Sequence, residues 1–176
     1  MPPSIRPPRR LSPASLERAA LHRLQRASLS EQQLRDALQR KLRRVEAVHG
    51  SEPRAAEWID ALVDKLTRLG FLDDVRVAQA RAQALRARGA SRRLVAQKLR
   101  RHGLDAEGAL QQVDLEAGAG TDGAPRGGDP AELAAARAYV QRRRLHGRER
   151  SKALAALARQ GFRFEIARRA LDVPEG

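Results

Sequence analysis

Arginine supplies most of the chemistry that this sequence offers. All but four of its 35 basic residues are Arg, and the formal net charge is +14. From Arg81 to His102 there are eight Arg or Lys residues and no acid, and from Arg137 to Arg163 there are nine with Glu149 as the single acid. Guanidinium groups bind phosphate and carboxylate through paired hydrogen bonds. Clusters of one sign therefore favour binding to a polyanion or to an acidic protein surface.

The candidate binding residues are twelve basic side chains within these two segments. The first basic cluster comprises Arg88, Arg92, Arg93, Lys98, Arg100 and Arg101. The second basic cluster comprises Arg142, Arg143, Arg144, Arg148, Arg150 and Arg159. Such cations neutralise phosphates without reading bases, and the chain has no Asn to recognise base edges. Aromatic platforms for base stacking are scarce in these segments, and Tyr139 is the candidate. The alternative for any single arginine is a solvated surface position.

The remaining polar residues do not indicate catalysis. The four histidines, His22, His49, His102 and His146, are predicted at loop edges or helix ends of different units, and the chain has no Cys. No carboxylate cluster stands near them at metal-ligand spacing. The glycine-rich run 118–128 lacks the strand and the Lys-Thr pair of a phosphate-binding loop. The sequence therefore predicts no enzyme, no catalytic residue, no metal site, no cofactor and no small-molecule substrate.

Two groups of conspicuous residues have structural interpretations. Asp73 and Asp74 are adjacent carboxylates that acid–base catalysis could use. They follow Gly70, a predicted helix cap, and precede a helix, so N-capping and first-turn dipole pairing explain them better. Trp58 lies on the apolar stripe of its helix and Phe71 follows the capping glycine, so both are predicted in the core.

The elements that must position these residues are predicted to be helices. The chain has 176 residues, of which 41% are hydrophobic and 3% aromatic, and its low β-branched content argues against sheets. Leu34 and Leu38 follow helical spacing, and Ser30 with Gln33 forms a predicted capping box. No apolar run reaches the about 18 residues that span a membrane. With no Cys and no secretory signal, the predicted location is cytoplasmic.

An internal repeat organises the predicted helices. Superposing Gly103 on Gly161 also pairs Gly89 with Gly147, Arg92 with Arg150 and Leu99 with Leu157, and Ser30 matches Ser91 in a looser first copy. The prediction is an all-α fold, an elongated array of three tandem three-helix repeats. The predicted segments are a disordered basic, proline-rich leader 1–13, a first repeat 14–70 with a loop insertion 45–54, a second repeat 71–113, a flexible linker 114–130 and a third repeat 131–173.

The central segment resembles a known family. The run WIDALVDKLTRLGFLDDVRVAQARAQALRARGASRRLVAQKLRRHGLD, residues 58–105, is similar to the signature of the RecX family of bacterial recombination regulators. SLSEQQLRDAL at 28–38 and ARQGFRFEIARRAL at 158–171 resemble the first and last repeats of that family. Val77 departs from the pattern, because an aromatic residue usually stands there.

The resemblance implies a cytoplasmic, all-helical regulator of three tandem repeats that is not an enzyme. It further implies binding to the RecA recombinase and its filament on single-stranded DNA. Inhibition of filament growth, ATP hydrolysis and strand exchange would follow, with effects on recombination, DNA repair and the SOS response.

The resemblance and the basic clusters together give a hypothesis. The arginines contact DNA phosphates and acidic recombinase surface in the filament groove, while the linker lets the last unit adjust to the filament. One alternative is a sequence-independent nucleic-acid-binding protein that acts without RecA. Another is a helix-turn-helix transcription factor, although amides that would read bases are not evident.

Overall fold

The structure is a computed structural model that describes residues 10–118 and 129–172. Every regular element in those ranges is helical, which confirms the predicted all-α class. The helices are α1 (Pro13–Leu24), α2 (Glu31–His49), α3 (Ala55–Arg68), α4 (Asp74–Ala87), α5 (Arg92–Arg100), α6 (Ala106–Gly118), α7 (Asp129–Arg143), α8 (Arg150–Arg159) and α9 (Phe164–Leu171). One turn of 3-10 helix, Leu145–Gly147, separates α7 from α8. None of the helices in the described ranges combines the length and apolarity needed to cross a bilayer.

The chain divides into two compact units, with the boundary inside α4 between Val77 and Ala78. The first unit holds α1, α2, α3 and the start of α4. The second unit holds the remainder of α4 and all later helices. Both basic clusters therefore lie in the second unit.

The core of the first unit forms where α1, α2 and α3 pack against one another. Leu16 of α1, Leu34 and Leu38 of α2, and Ile59 and Val63 of α3 are almost completely buried. Their spacing of three or four residues places them on one face of each helix. Each such burial contributes about 1.5–3 kcal/mol relative to an exposed side chain.

Side-chain caps fix where the helices of the first unit begin. Ser30 and Gln33 form the predicted reciprocal capping box, with backbone N–H to side-chain distances of 3.2 and 3.1 Å. Asp73 accepts a hydrogen bond of 2.9 Å from a backbone N–H in the first turn of α4. Asp74 accepts one of 2.9 Å from the backbone N–H of Glu31 at the start of α2. The adjacent carboxylates therefore satisfy the orphan donors of two different helices.

Helix α1 begins inside the predicted leader 1–13. Ser12 caps the helix and Pro13 is its first residue, a position where the missing proline N–H leaves no hydrogen bond unmade. Leu11 is buried against the core of the first unit. The predicted leader is therefore too long at its end, and its residues 1–9 lie outside the described part of the chain.

Helix α2 continues through half of the predicted loop insertion 45–54. Val45 lies two turns after Leu38 and is buried in the same core, so the apolar stripe persists. The helix ends at His49, and Gly50 is its C-cap. Residues 50–54 are what remains of the predicted insertion.

The turn after α3 confirms Gly70 as a cap and contradicts the core assignment of Phe71. Gly70 has a φ of 74°, and the backbone N–H of Phe71 donates to the carbonyl of Leu66 at 2.9 Å. This Schellman geometry sends Leu72 into the core and leaves Phe71 56% exposed. Trp58 is partly buried and packs against the core, as predicted.

The second unit has its largest core where α7, α8 and α9 pack together. Val140, Leu157 and Ile166 are buried there. Helix α5 packs on α6, with Val95 and Leu99 buried.

Direct contacts join α4 and α5 to α7 within this unit. A Cβ placed on Gly89 would lie 2.7 Å from the Cβ of Tyr139, so only glycine permits this approach of the α4 terminus to α7. The carboxylate of Glu132 on α7 accepts from the backbone N–H of Arg92 at 2.9 Å and from the guanidinium of Arg86 at 2.6 Å. Glu132 thereby caps α5 from a different helix.

The predicted linker 114–130 is shortened from both ends. Helix α6 runs to Gly118 and α7 begins at Asp129, so residues 119–128 of the linker lie outside the described part. The helices on either side pack directly, and the backbone N–H of Ser91 donates to the carbonyl of Gln160 at 3.4 Å. Contacts of Gly89 and Ser91 hold α7 and α8 against the connection between α4 and α5. The hypothesis that the linker leaves the last predicted repeat free to adjust therefore differs from the structure.

The aligned glycines of the internal repeat have the same backbone conformation in one pair and different conformations in the other. Gly103 and Gly161 both follow a helix with left-handed backbone, at φ values of 70° and 84°. Gly89 does the same at 72°, but Gly147 lies in the 3-10 turn. The left-handed residue at the end of α7 is instead Arg144, with a φ of 49°. Gly89 and Gly147 therefore align in sequence but differ in backbone conformation.

Candidate polyanion-binding surface

Helix α5 and its flanks position the first basic cluster. Ser91 caps α5 as predicted, its hydroxyl accepting from the backbone N–H of Leu94 at 3.1 Å. Val95 and Leu99 face the core, whereas Gln97 and Lys98 between them are exposed. The exposed cations are Arg88, Arg93, Lys98, Arg100 and Arg101. Those at the C-terminal end of α5 also meet the negative end of its dipole.

Arg92 differs from the rest of the first basic cluster because its guanidinium is engaged inside the protein. It pairs with the carboxylate of Asp114 on α6, and the two side chains are only 29% and 8% exposed. A carboxylate buried to this degree needs a paired cation. The structure thus gives Arg92 an intramolecular partner that the sequence analysis did not foresee.

The second basic cluster surrounds the end of α7 and continues to the end of α8. Its exposed members that form no ion pair with another residue of the described ranges are Arg142, Arg143, Arg144, Arg148 and Arg159. The guanidinium of Arg142 donates to the backbone carbonyl of Arg88. The two basic clusters therefore meet at this contact within the second unit.

Two further cluster residues have acidic neighbours. Arg150 pairs with Asp172 at 2.6 Å, with both side chains about half exposed. Arg100 lies 3.9 Å from Glu107, and both side chains are mostly exposed. Solvent weakens such a long, exposed pair, so Arg100 keeps its capacity to meet an external anion.

The ion pairs of Arg92 and Arg150 are related by the internal repeat. Each arginine is the first residue of its helix, and each acid lies near the end of the helix that follows. The same interval along the sequence separates Arg92 from Arg150 and Asp114 from Asp172. The sequence alignment paired the two arginines, but Asp114 and Asp172 were not predicted as their partners. This recurrence indicates a structural use of both arginines.

Of the aromatic residues near the second basic cluster, Tyr139 is buried and Phe164 is exposed. Tyr139 is only 8% exposed, with its hydroxyl 3.5 Å from the Nε2 atom of Gln160. Its ring packs in the core of the second unit, so it is not accessible to a base. Phe164, which the sequence analysis did not single out, is 67% exposed at the start of α9. Its position outside the apolar stripe of that helix was the available signal.

Glu149 binds its own sequence neighbours and not an arginine of the second basic cluster. The hydroxyl of Ser151 donates to its carboxylate at 2.5 Å and the ammonium of Lys152 lies 2.9 Å away. These two interactions, the first the larger, lower the pKa of Glu149 below its usual value. The only acid between Arg137 and Arg163 is therefore ionised and pairs with a lysine, not with an arginine of the second basic cluster.

No metal centre competes with this interpretation in residues 10–118 and 129–172. No three His, Asp or Glu side chains in those ranges are grouped so that they could hold an ion.

The helices and exposed cations define an all-helical protein whose candidate site is an arginine-rich binding surface. No family model matches the sequence. The chain is 39% identical over 175 residues to the regulatory protein RecX of Myxococcus xanthus (strain DK1622), covering 94% of this chain and 88% of that protein. The chain belongs to the RecX family of regulatory proteins, which confirms the family resemblance of its central segment.

Two further comparisons agree. The regulatory protein RecX of Agrobacterium fabrum is 34% identical over 155 residues, which cover 84% of this chain and 77% of that protein. The crystal structure of RecX from Lactobacillus salivarius shares the fold with a TM-score of 0.58 at 15% identity, over 91% of this chain and 96% of that one.

Proposed function

We propose that this protein is a cytoplasmic regulator of the RecA recombinase. It binds RecA and its filament on single-stranded DNA, and it inhibits filament growth, ATP hydrolysis and strand exchange. It thereby modulates recombination, DNA repair and the SOS response. The observation that carries the proposal is the 39% identity to a RecX regulatory protein over 94% of the chain.

The exposed members of the basic clusters are the proposed contact residues. They are Arg88, Arg93, Lys98, Arg100, Arg101, Arg142, Arg143, Arg144, Arg148 and Arg159. Arg92 and Arg150 are set aside because each pairs with an acid of the same chain. The filament offers DNA phosphates and protein carboxylates, and several individually weak contacts on one surface bind in concert.

The three-repeat organisation is part of the proposal. In each candidate triplet, the first residue of the second helix bonds to the third helix or to its C-cap. The pairs are Glu31 with Thr67, Arg92 with Asp114, and Arg150 with Asp172. The recurrence supports repeats formed by α1–α3, α4–α6 and α7–α9.

Charge reversal tests whether the second basic cluster contacts the filament. Replacing Arg142, Arg143 and Arg144 by Glu adds repulsion where phosphates would bind. The amount of protein that halves RecA filament assembly on single-stranded DNA, followed by light scattering, should rise about tenfold. The helical circular dichroism should not change, because all three side chains are exposed.

A matched control is the replacement of Arg40, Arg43 and Arg44 by Glu. These arginines are exposed on α2 in the first unit, and the control changes the net charge by the same amount. It should inhibit like the unaltered protein. Equal inhibition by the cluster variant and the control would reject the role of the second basic cluster.

A sequence-independent nucleic-acid-binding protein that acts without RecA is the second candidate function. The exposed cations favour it, because phosphate binding needs no protein partner. Capture of RecA from nuclease-treated solution separates the two functions. Capture without DNA supports the recombinase regulator, and capture that disappears with the DNA supports the alternative.

A further inference from the structure

Phe164 is a large apolar side chain that the fold leaves in solvent. It is 67% exposed at the first position of α9, whereas Ile166, Ala167 and Ala170 form the buried face of that helix. In the internal repeat Phe164 aligns with Ala106, which is buried at the first position of α6. A methyl group therefore suffices for packing at this place in the fold, and the core does not account for a phenyl ring here.

The surroundings of Phe164 are cationic. Arg163 precedes it, Arg168 lies one turn later on the same side of α9, and Arg159 ends the preceding helix. All three are exposed, and Glu165 is the only acid from residue 159 to residue 169. Apart from Phe164, no exposed residue of that stretch is apolar. The ring is thus the one exposed apolar side chain of this stretch and has arginines beside it along the chain.

This combination fits an unpaired nucleobase better than a protein. Protein-binding aromatic residues usually lie within a wider apolar patch that excludes water, and the neighbours here are charged. Single-stranded nucleic acids offer free base faces for an aromatic ring and phosphates for adjacent cations. Bases of a duplex are already stacked on each other, so the ring gains little from a duplex.

We propose that Phe164, with Arg163 and Arg168, forms a stacking site for single-stranded nucleic acid. One base stacks on the ring, and the flanking phosphates bind the two guanidinium groups. The inference rests on the proposed function, because the single-stranded DNA of the RecA filament is the nucleic acid that this site would contact.

The test compares two probes that share a phosphate backbone. A fluorescent oligothymidylate carries bases, and an abasic oligonucleotide of equal length does not. Fluorescence anisotropy should show that the unaltered protein binds the oligothymidylate more tightly. Phe164→Ala should weaken oligothymidylate binding about tenfold and leave abasic binding unchanged. Phe164→Trp should restore the preference, which excludes a general folding defect.

Phe71→Ala is the matched control, because Phe71 is also an exposed phenylalanine but is followed by Asp73 and Asp74. It should bind both probes like the unaltered protein. The inference is overturned if Phe164→Ala binds the oligothymidylate normally, or if it weakens both probes equally. Loss of RecA capture without DNA, combined with normal oligonucleotide binding, would assign the ring to a protein contact and also overturn it.

The outcomes separate this inference from the proposed function. A protein that inhibits RecA filaments but shows no preference for bases contradicts only the stacking site. A protein that prefers bases through Phe164 but has no effect on RecA supports the stacking site and contradicts the regulator.

Discussion

At the scale of single residues, neighbouring arginines of α5 serve different purposes. Arg92 points its guanidinium at a buried carboxylate, and Arg93 is exposed one position later. Successive helix positions differ by about 100° around the axis, so adjacent residues meet different surroundings. Arginine content alone therefore overstates the number of side chains that an external anion can reach.

Arg92→Ala should reduce the free energy of unfolding by about 2 kcal/mol, because it leaves the Asp114 carboxylate buried without its cation. Arg93→Ala should change it by less than about 0.5 kcal/mol, as expected for an exposed side chain. Urea denaturation of the full chain measures both. Equal stability of the two variants would show that the Arg92–Asp114 pair contributes nothing to the fold.

At the scale of helices, Gly70 and Gly89 have the same left-handed backbone but different surroundings. Gly89 ends the α4 region with left-handed backbone and lies directly against α7. Gly70 ends α3 with similar backbone but faces open space. The two glycines share a conformational requirement and differ only in the space around them.

Gly89→Ala should therefore cost more stability than Gly70→Ala. The strain of an alanine at positive φ applies to both, about 1 kcal/mol. At Gly89 the added methyl would also lie 2.8 Å from the carbonyl oxygen of Ala135, raising the loss to about 3 kcal/mol. Urea denaturation compares the two variants, and losses of the same size would contradict the close approach of Gly89 to α7.

Features encoded by neighbouring residues were predictable from the sequence. The Ser30 and Ser91 caps and the Gly70 terminus follow from local hydrogen-bonding rules, and the structure confirms each of them. The burial of Tyr139 and the exposure of Phe71 depend on which surfaces meet after folding. No local rule contains that information, so the core assignment of Phe71 was wrong and the burial of Tyr139 was not predicted.

In the candidate site, too, features set by neighbouring residues were predictable and features set by tertiary packing were not. The composition and clustering of basic residues predicted a candidate surface, and most of its members are exposed. The acid that engages Arg92 lies on another helix, and the exposure of Phe164 follows from the register of α9. Both features depend on tertiary packing, so the sequence alone did not predict them.

At the scale of the whole molecule, the basic clusters belong to one compact unit. Residues from Ala78 onward form that unit, and contacts of Gly89, Ser91 and Glu132 join its helices across residues 119–128. The two clusters are thus presented together, which suits a repetitive charged partner better than two independently moving sites would. The charge of +14 also predicts that direct nucleic-acid binding weakens steeply as salt rises.

The proposed activity of this protein is to restrain RecA on single-stranded DNA. The most direct measurement is the rate of ATP hydrolysis by the cognate RecA on single-stranded DNA while this protein is titrated in. The rate should fall as the protein is added, and the variant with Arg142, Arg143 and Arg144 replaced by Glu should require more protein for the same decrease. A rate that stays constant, or rises, when this protein exceeds RecA would contradict the account.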